Sequence, residues 1–326
     1  ALGALSTFFV FWSLSGLLLK IFMSMKNVYY KRLNSFTLRQ FSSKINTTVF
    51  SMTIICLMLF FTICVLSSAI SIRNSMTANI KELAPADIEI NKKMDLPLDS
   101  GYSQEVIEDS KISVSETLDR LGFDADKYFK DVVEFYVYAS NDILVKNTLG
   151  DAYEKISQEF PYLKYDTAEQ FIKVSDYNKL AKLYNLDEIH LSNNEYAIIA
   201  DFDSWIDIRN QGLELDTPIM INGYTLTPKY DECINGFINM TSSHVNMGIF
   251  VVPDEVLNGY VRETGMLVAN YNANDDKEKQ EIENMIIDLD NSPYASNTDI
   301  GASTKLAIYE GSIGLGAMIT FIGLYL

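Results

Sequence analysis

Residues 45–72, INTTVFSMTIICLMLFFTICVLSSAISI, run for 28 positions between Lys44 and Arg73 without a charged side chain. A run of that length predicts a helix that crosses a membrane. At about 1.5 Å per residue it spans roughly 42 Å against a hydrocarbon core of about 30 Å, so the helix tilts or continues past the bilayer as a stalk. Ser67, Ser68 and Ser71 soften its far end and favour the stalk.

Charge gives the direction of that helix. Residues 1–73 carry seven basic side chains and no Asp or Glu, whereas residues 74–326 carry 19 basic and 43 acidic ones, a net charge of −24. The connection at 26–44 holds Lys26, Lys31, Arg32, Arg39 and Lys44 and no acid, and an excess of Lys and Arg beside a span marks the cytoplasmic side. Residues 1–25 are therefore expected to be a partial transmembrane helix running inward and 45–73 an outward helix with its stalk. The 26–44 segment has the pattern of an interfacial amphipathic helix. Its basic residues serve either as a plain juxtamembrane anchor or as a coupling surface for a cytoplasmic partner. Residues 1–25 do not read as a signal peptide: basic residues follow the apolar run, no A-x-A site is present, and a second hydrophobic helix comes soon after. The chain is read as a fragment that opens inside a membrane helix.

Residues 74–304 are expected to be an acidic extracellular domain of mixed α/β (α+β) class, so the fold class is α-helical membrane segments plus this domain. Strand patterns occur at 85–90, 132–139, 195–202, 248–252 and 265–270, and FIKV at 171–174 leads into a helix with Ser175 as N-cap and Tyr177, Leu180, Ala181 and Tyr184 on one face. Asn222-Gly223 between apolar residues predicts a hairpin. A second helix follows Asn274, with Ile282, Met285, Ile286 and Leu289 at helical spacing. Residues 305–326 are expected to be a truncated third membrane helix, with small residues at helix spacing. Glu310 near its outer end either snorkels to the interface or faces a partner helix as a coupling residue.

Several functions are disfavoured. A polyphosphate partner needs a positive footprint, so nucleic acid is not expected. Cys56 and Cys64 lie in the apolar run and Cys233 stands alone in the soluble part, which leaves no disulfide framework there and no zinc pattern. There are two histidines, His190 and His244, and no HExxH, GxSxG, P-loop or dinucleotide fingerprint. No catalytic, metal or cofactor-binding residue is assigned, and Cys233 reads as a packed side chain. The acidic surface either keeps an exported domain soluble or draws cationic ligands to it.

The string TLRQFSSKINTTVFSMTIICLMLFFTI resembles the basic lead-in and outward helix before the large extracellular domain of FtsX-like ABC transporter permeases. The similarity is to the bacitracin-resistance (BceB-like) branch of Gram-positive bacteria, and PADIEI, VSDYNKLAKLYNL, NEYAIIADF, GIFVVPDEVL and STKLAIYEGSIGLGAMITFIGLYL continue it in order. The resemblance implies a multi-pass cell-membrane permease subunit with 74–304 extracellular. This segment would run from the end of helix six to the start of helix eight of ten. ATP would be hydrolysed by a separate cytoplasmic ATPase, so no cofactor is expected in this chain. The implied ligand is a cationic or lipid-linked peptide antibiotic acting at the cell envelope, and a membrane histidine kinase is a further implied partner. Ligand-binding residues do not carry over. The alternatives are a receptor or scaffold signalling to a partner kinase, and an FtsX-like permease acting on lipoproteins or a wall hydrolase.

Overall fold

The computed structural model describes residues 2–31, 33–290 and 300–325. The chain forms two compact units, Ala1–Asn74 with Ile313–Leu326, and Ser75–Ser312. The change in charge at residue 74 coincides with the first boundary.

In the first unit the helices Leu2–Ser24 and Asn34–Leu83 dominate. Two described stretches, Leu5–Ser24 and Thr47–Leu83, are long and apolar enough to cross a membrane. Their large side chains, among them Phe9, Trp12, Phe60, Phe61 and Ile63, are exposed, which is the usual arrangement for a lipid-facing surface and a costly one in water. The second helix begins at Asn34, so much of the expected interfacial segment is its first turns. Across that polarity change Thr37, Ser43 and Thr48 return their hydroxyls to the backbone of the preceding turn. The Lys305–Tyr325 helix forms over 21 residues, and Ser303 and Thr304 just before it belong to a strand.

The second unit is built on one mixed sheet. Its strands are β1 Ile88–Lys93, β2 Phe129–Leu144, β3 Ala168–Lys173, β4 Glu195–Ala200, β5 Ile219–Ile221, β6 Tyr224–Pro228, β7 Ile234–Asn235, β8 Ile249–Val252, β9 Arg262–Tyr271 and β10 Gly301–Thr304. They lie in the order β10-β1-β9-β2-β3-β8-β4-β6-β5, with β7 also on β4. Only β3–β8, β4–β6 and β4–β7 are parallel. Asp131, at φ 54°, sits where β2 shifts register against β9, a bulge that bends this 16-residue strand.

Both faces of the sheet are covered, which explains the near-continuous apolar runs of β4 and β8. On one face Phe135, Ile172, Ile199, Val251 and Val268 pack against Tyr177, Leu180, Ala181 and Tyr184 of the helix Val174–Tyr184. The opposite face carries two clusters. Ile88, Ile90 and Leu267 pack on Val114, Leu118, Ile282 and Ile286, while Tyr196, Phe171 and Phe250 pack on Leu213, Ile219 and Leu226. Lys92 points into this interior with no exposed side-chain surface and is satisfied by Asp109 O at 2.8 Å, Ile112 O at 3.0 Å, Thr117 Oγ1 at 2.5 Å and the Asp109 carboxylate at 3.3 Å.

Local expectations held at the hairpin. Asn222 and Gly223 take φ 50° and 81° between β5 and β6, the pair of left-handed residues that a type I′ turn requires. The cap of the Val174–Tyr184 helix is different from the one expected. The helix starts one residue before Ser175, and the partly buried Ser175 N–H donates to the Asp254 carboxylate at 3.1 Å. An ionised acceptor from the β8 side outcompetes a local hydroxyl at a helix N-terminus.

Candidate functional site

A concavity of about 580 Å³ in the second unit opens where the residue-236–248 loop, the helix Asp203–Leu213 and the residue-161–169 segment meet. Its floor is an ion pair. Arg209, from the helix, reaches Glu169, from β3, in a two-pronged contact: Nη1 donates to Oε1 and Nη2 donates to Oε2 at 2.8 Å. Thr148 Oγ1 also donates to Glu169 Oε1 and accepts from Arg209 at 3.2 Å, and Arg209 Nε donates to Met247 O at 3.1 Å. The two charged side chains are 3% and 1% exposed. Every guanidinium edge with a close partner is thus committed to the protein, and the pair shapes the floor without offering a free charge.

Gly248 is dictated by that floor. Its φ is +125°, and a Cβ there would stand 2.7 Å from Arg209 Nε, so the loop approaches the guanidinium this closely only with glycine. Asn246 fixes the rest of the loop. Its side-chain amide donates to Ile199 O at 3.0 Å and Gly236 O at 2.8 Å and its Oδ1 accepts from Gly248 N–H at 3.0 Å, while its own N–H donates to Asp201 Oδ1 at 2.6 Å.

The lining above that floor is charged and apolar together. Asp201 is buried at the end of β4; burial raises its carboxyl above the ordinary range, against the opposing pull of the Asn246 N–H and of His244, whose Nδ1 lies 3.4 Å away. Glu263 accepts from Gln170 at 3.0 Å. Trp205 lies beneath the Arg209 guanidinium at 5.6 Å, and Tyr162, Val245 and Met247 expose large apolar surface at 79%, 52% and 47%. Lys164 is exposed on the same lining as Glu263, so the mouth joins charges of both signs to exposed apolar side chains and suits an amphiphilic ligand better than a wholly polar one.

Behind the loop lies a second buried carboxylate. Glu89 of β1 is 3% exposed, accepts the Met240 N–H at 2.6 Å and the Asn239 side-chain amide at 3.3 Å, and has no cation partner among the described residues. Burial pushes its carboxyl up to about 7, with the two hydrogen bonds pulling the other way. The next residue of the loop, Thr241, donates its N–H at 3.0 Å to Leu83 O, the last residue of the long helix.

The residues singled out in the sequence lie elsewhere. Lys26, Lys31, Arg39 and Lys44 are exposed in the first unit, and Arg39 and Lys44, five apart on one helix, point about 140° from each other. Arg32 lies outside the described residues. Glu310 is exposed in the second turn of the Lys305–Tyr325 helix, close enough to Glu283 to help raise that carboxyl's pKa, a lesser contribution than burial. His190 is exposed, with its carbonyl accepting from Lys229. Burial pushes the Cys233 thiol up to about 12, which agrees with a packed side chain. Among the described residues no group of three or more His, Cys, Asp or Glu is placed to hold a metal ion.

The class these features define is a mixed α/β domain on a single two-sided sheet, in a chain with two helices long and apolar enough to cross a membrane. No family model matches the chain, and no curated protein matches it either.

Proposed function

We propose that this chain is part of an FtsX-like ABC transporter permease of the bacitracin-resistance branch, with the 75–312 unit working outside the cell on a cationic or lipid-linked peptide antibiotic. The observation that carries the reading is the way the chain enters and leaves that unit. It enters through β1 and leaves through β10, and these are paired neighbours at one edge of the sheet, with Ile88 opposite Thr304 and Lys305 N–H donating to Asp87 O at 2.9 Å. The long helix ends five residues before β1, and the return helix starts directly after β10. A domain inserted between two membrane helices needs this arrangement, because movement of either helix then loads the same strand pair.

The groove supports an amphiphilic ligand through its exposed apolar mouth, where Glu263 could meet a cationic group beside Lys164. Work from ATP would come from a separate cytoplasmic ATPase meeting the basic 26–44 segment. The test is the whole permease co-expressed with its neighbouring ATPase. The expected result is co-purification, ATPase activity stimulated by the peptide, and peptide protection of cells that falls in Asp201→Asn/Glu263→Gln. Loss of protection with kinase signalling intact would favour a receptor. An ATPase indifferent to peptides would refute the transporter reading.

A further inference from the structure

The groove wall made by the residue-236–248 loop has a second side. Asn239 and Thr241 line the groove, and the same two residues hold the end of the long helix and the strand that follows it. Thr241 N–H donates to Leu83 O at 3.0 Å, the Asn239 amide donates to Glu89 at 3.3 Å, and the Met240 N–H between them donates to Glu89 at 2.6 Å. Leu83 is the last residue of that helix. Its carbonyl is one of the four that no later turn can satisfy, and the loop supplies the missing donor.

The tip of the loop is packed as well as bonded. Phe237, Ile238 and Met240 are buried in one apolar cluster with Ile80, Leu83 and Ala84. Phe237 stacks on Tyr184 with ring centroids 5.3 Å apart, and the Tyr184 hydroxyl donates to Ile238 O at 3.2 Å. From the tip the ties continue to the groove floor. Thr241 Oγ1 donates to Ser243 O at 2.8 Å, His244 Nδ1 lies 3.4 Å from Asp201, the Asn246 N–H donates to the same carboxylate, and Met247 O accepts from Arg209. A loop bonded along its length and packed into a core cannot absorb a displacement locally. A shift of Leu83 therefore reaches Asn246 and Met247 on the groove side.

We propose that this loop is a coupling strap between the groove and the end of the long helix. Displacement of Leu83 moves the groove wall, and a molecule held against that wall biases the position of Leu83 by the same free energy. Use of the strap by a ligand rests on the reading of the groove given above, whereas the coupling itself exists without a ligand and is tested without one.

The experiment is amide hydrogen exchange, read by mass spectrometry on the full chain in neutral detergent, with each rate compared to the amides of β9 as a measure of the whole domain. Lys81→Gly/Glu82→Gly loosens the helix end at two exposed positions, by about fivefold per glycine. Exchange should rise there and also in residues 245–248, by about fivefold or more, the lower end of ordinary coupling between sites. Lys277→Gly/Glu281→Gly, the same loosening on the exposed face of the helix Asp276–Asp290, should leave residues 245–248 unchanged. In the reverse direction Asn246→Ala, which frees the loop from Ile199 O and Gly236 O, should speed exchange of the Ala84 and Thr241 amides. No rise at 245–248 in the helix-end variant, or an equal rise in the control, would overturn the proposal. So would an Asn246→Ala protein whose Ala84 and Thr241 amides exchange as in the wild type. A groove that binds no amphiphile would remove the ligand reading and leave these rates as expected.

Discussion

Replacing Glu89 with Gln should stabilise this protein above neutral pH and have a much smaller effect at pH 5. The Glu89 carboxyl moves from its ordinary 4.5 to about 7 on folding because β1 carries it into the interior without a cation. A folded-state pKa above the unfolded one means that the folded protein holds the proton more tightly. The corresponding stability is fully present below pH 4.5 and is lost as pH rises through about 7. The loss amounts to about 3 kcal/mol, at about 1.4 kcal/mol per pH unit between the two values. The Met240 and Asn239 hydrogen bonds are already inside that figure, since they act to lower the pKa. Tyr184, itself pushed well up by burial and by Glu89, is the ionisable neighbour.

Glutamine keeps an acceptor for Met240 N–H and never ionises, so it stands in for the protonated acid. The assay is thermal unfolding of the full chain in detergent, followed by near-ultraviolet circular dichroism from pH 5 to 8.5, with wild type and Glu89→Gln side by side. Other titrating groups contribute equally to both curves, and the difference isolates Glu89. The two melting temperatures should lie closest near pH 5, where about a quarter of the effect is present, and separate by roughly 6–12 °C at pH 8 for a domain of this size. Parallel curves across the range would refute the reasoning, and so would a variant less stable than wild type at pH 8.

The buried pair under the groove predicts that removing both partners costs less than removing one. Arg209→Met should cost about 3–5 kcal/mol because it leaves Glu169 buried and unpaired, while Arg209→Met/Glu169→Met should recover most of that loss in the same melting assay. Gly248→Ala should cost about 1–3 kcal/mol, from φ +125° and a Cβ pressed to 2.7 Å from Arg209 Nε. It should also accelerate amide exchange at Met247 and Gly248 first. Cys233, with its thiol pushed up to about 12, should resist alkylation at pH 8 in the folded protein and react once denatured, measured by mass after iodoacetamide treatment.

The parts of this fold legible in the sequence are those that local physics decides. Asn222-Gly223 writes its own hairpin because both residues accept positive φ cheaply, and the Tyr177, Leu180, Ala181 and Tyr184 stripe declares which helix face is buried. The charge change at residue 74 marks the boundary of a compact unit because charged and lipid-like segments cannot share one interior. The strand order was not legible. β1 meets β9 and β10 across more than 170 residues of chain, and no period along a strand names its neighbour. The groove was equally silent, since Glu89, Glu169 and Asp201 are three among 43 acidic residues and their burial shows only in three dimensions. Asp254 capping the helix at Ser175 failed to show for the same reason: the acceptor arrives from 79 residues away. His244 carried a weak signal, a histidine two residues before the asparagine that fixes the loop, but its partner Asp201 was visible only in three dimensions.

The β1–β10 pairing has a mechanical corollary. Because the strands are antiparallel and the chain enters one and leaves the other at the Ile88–Thr304 end, a force that draws Leu83 and Lys305 apart peels the pair open from that end, one rung after another, instead of shearing all rungs together. The ladder runs only from Ile88–Thr304 to Asn91–Gly301. A sheet edge loaded like a zipper yields to small forces, whereas the β1–β9 ladder behind it, six residue pairs long, keeps the rest of the sheet closed.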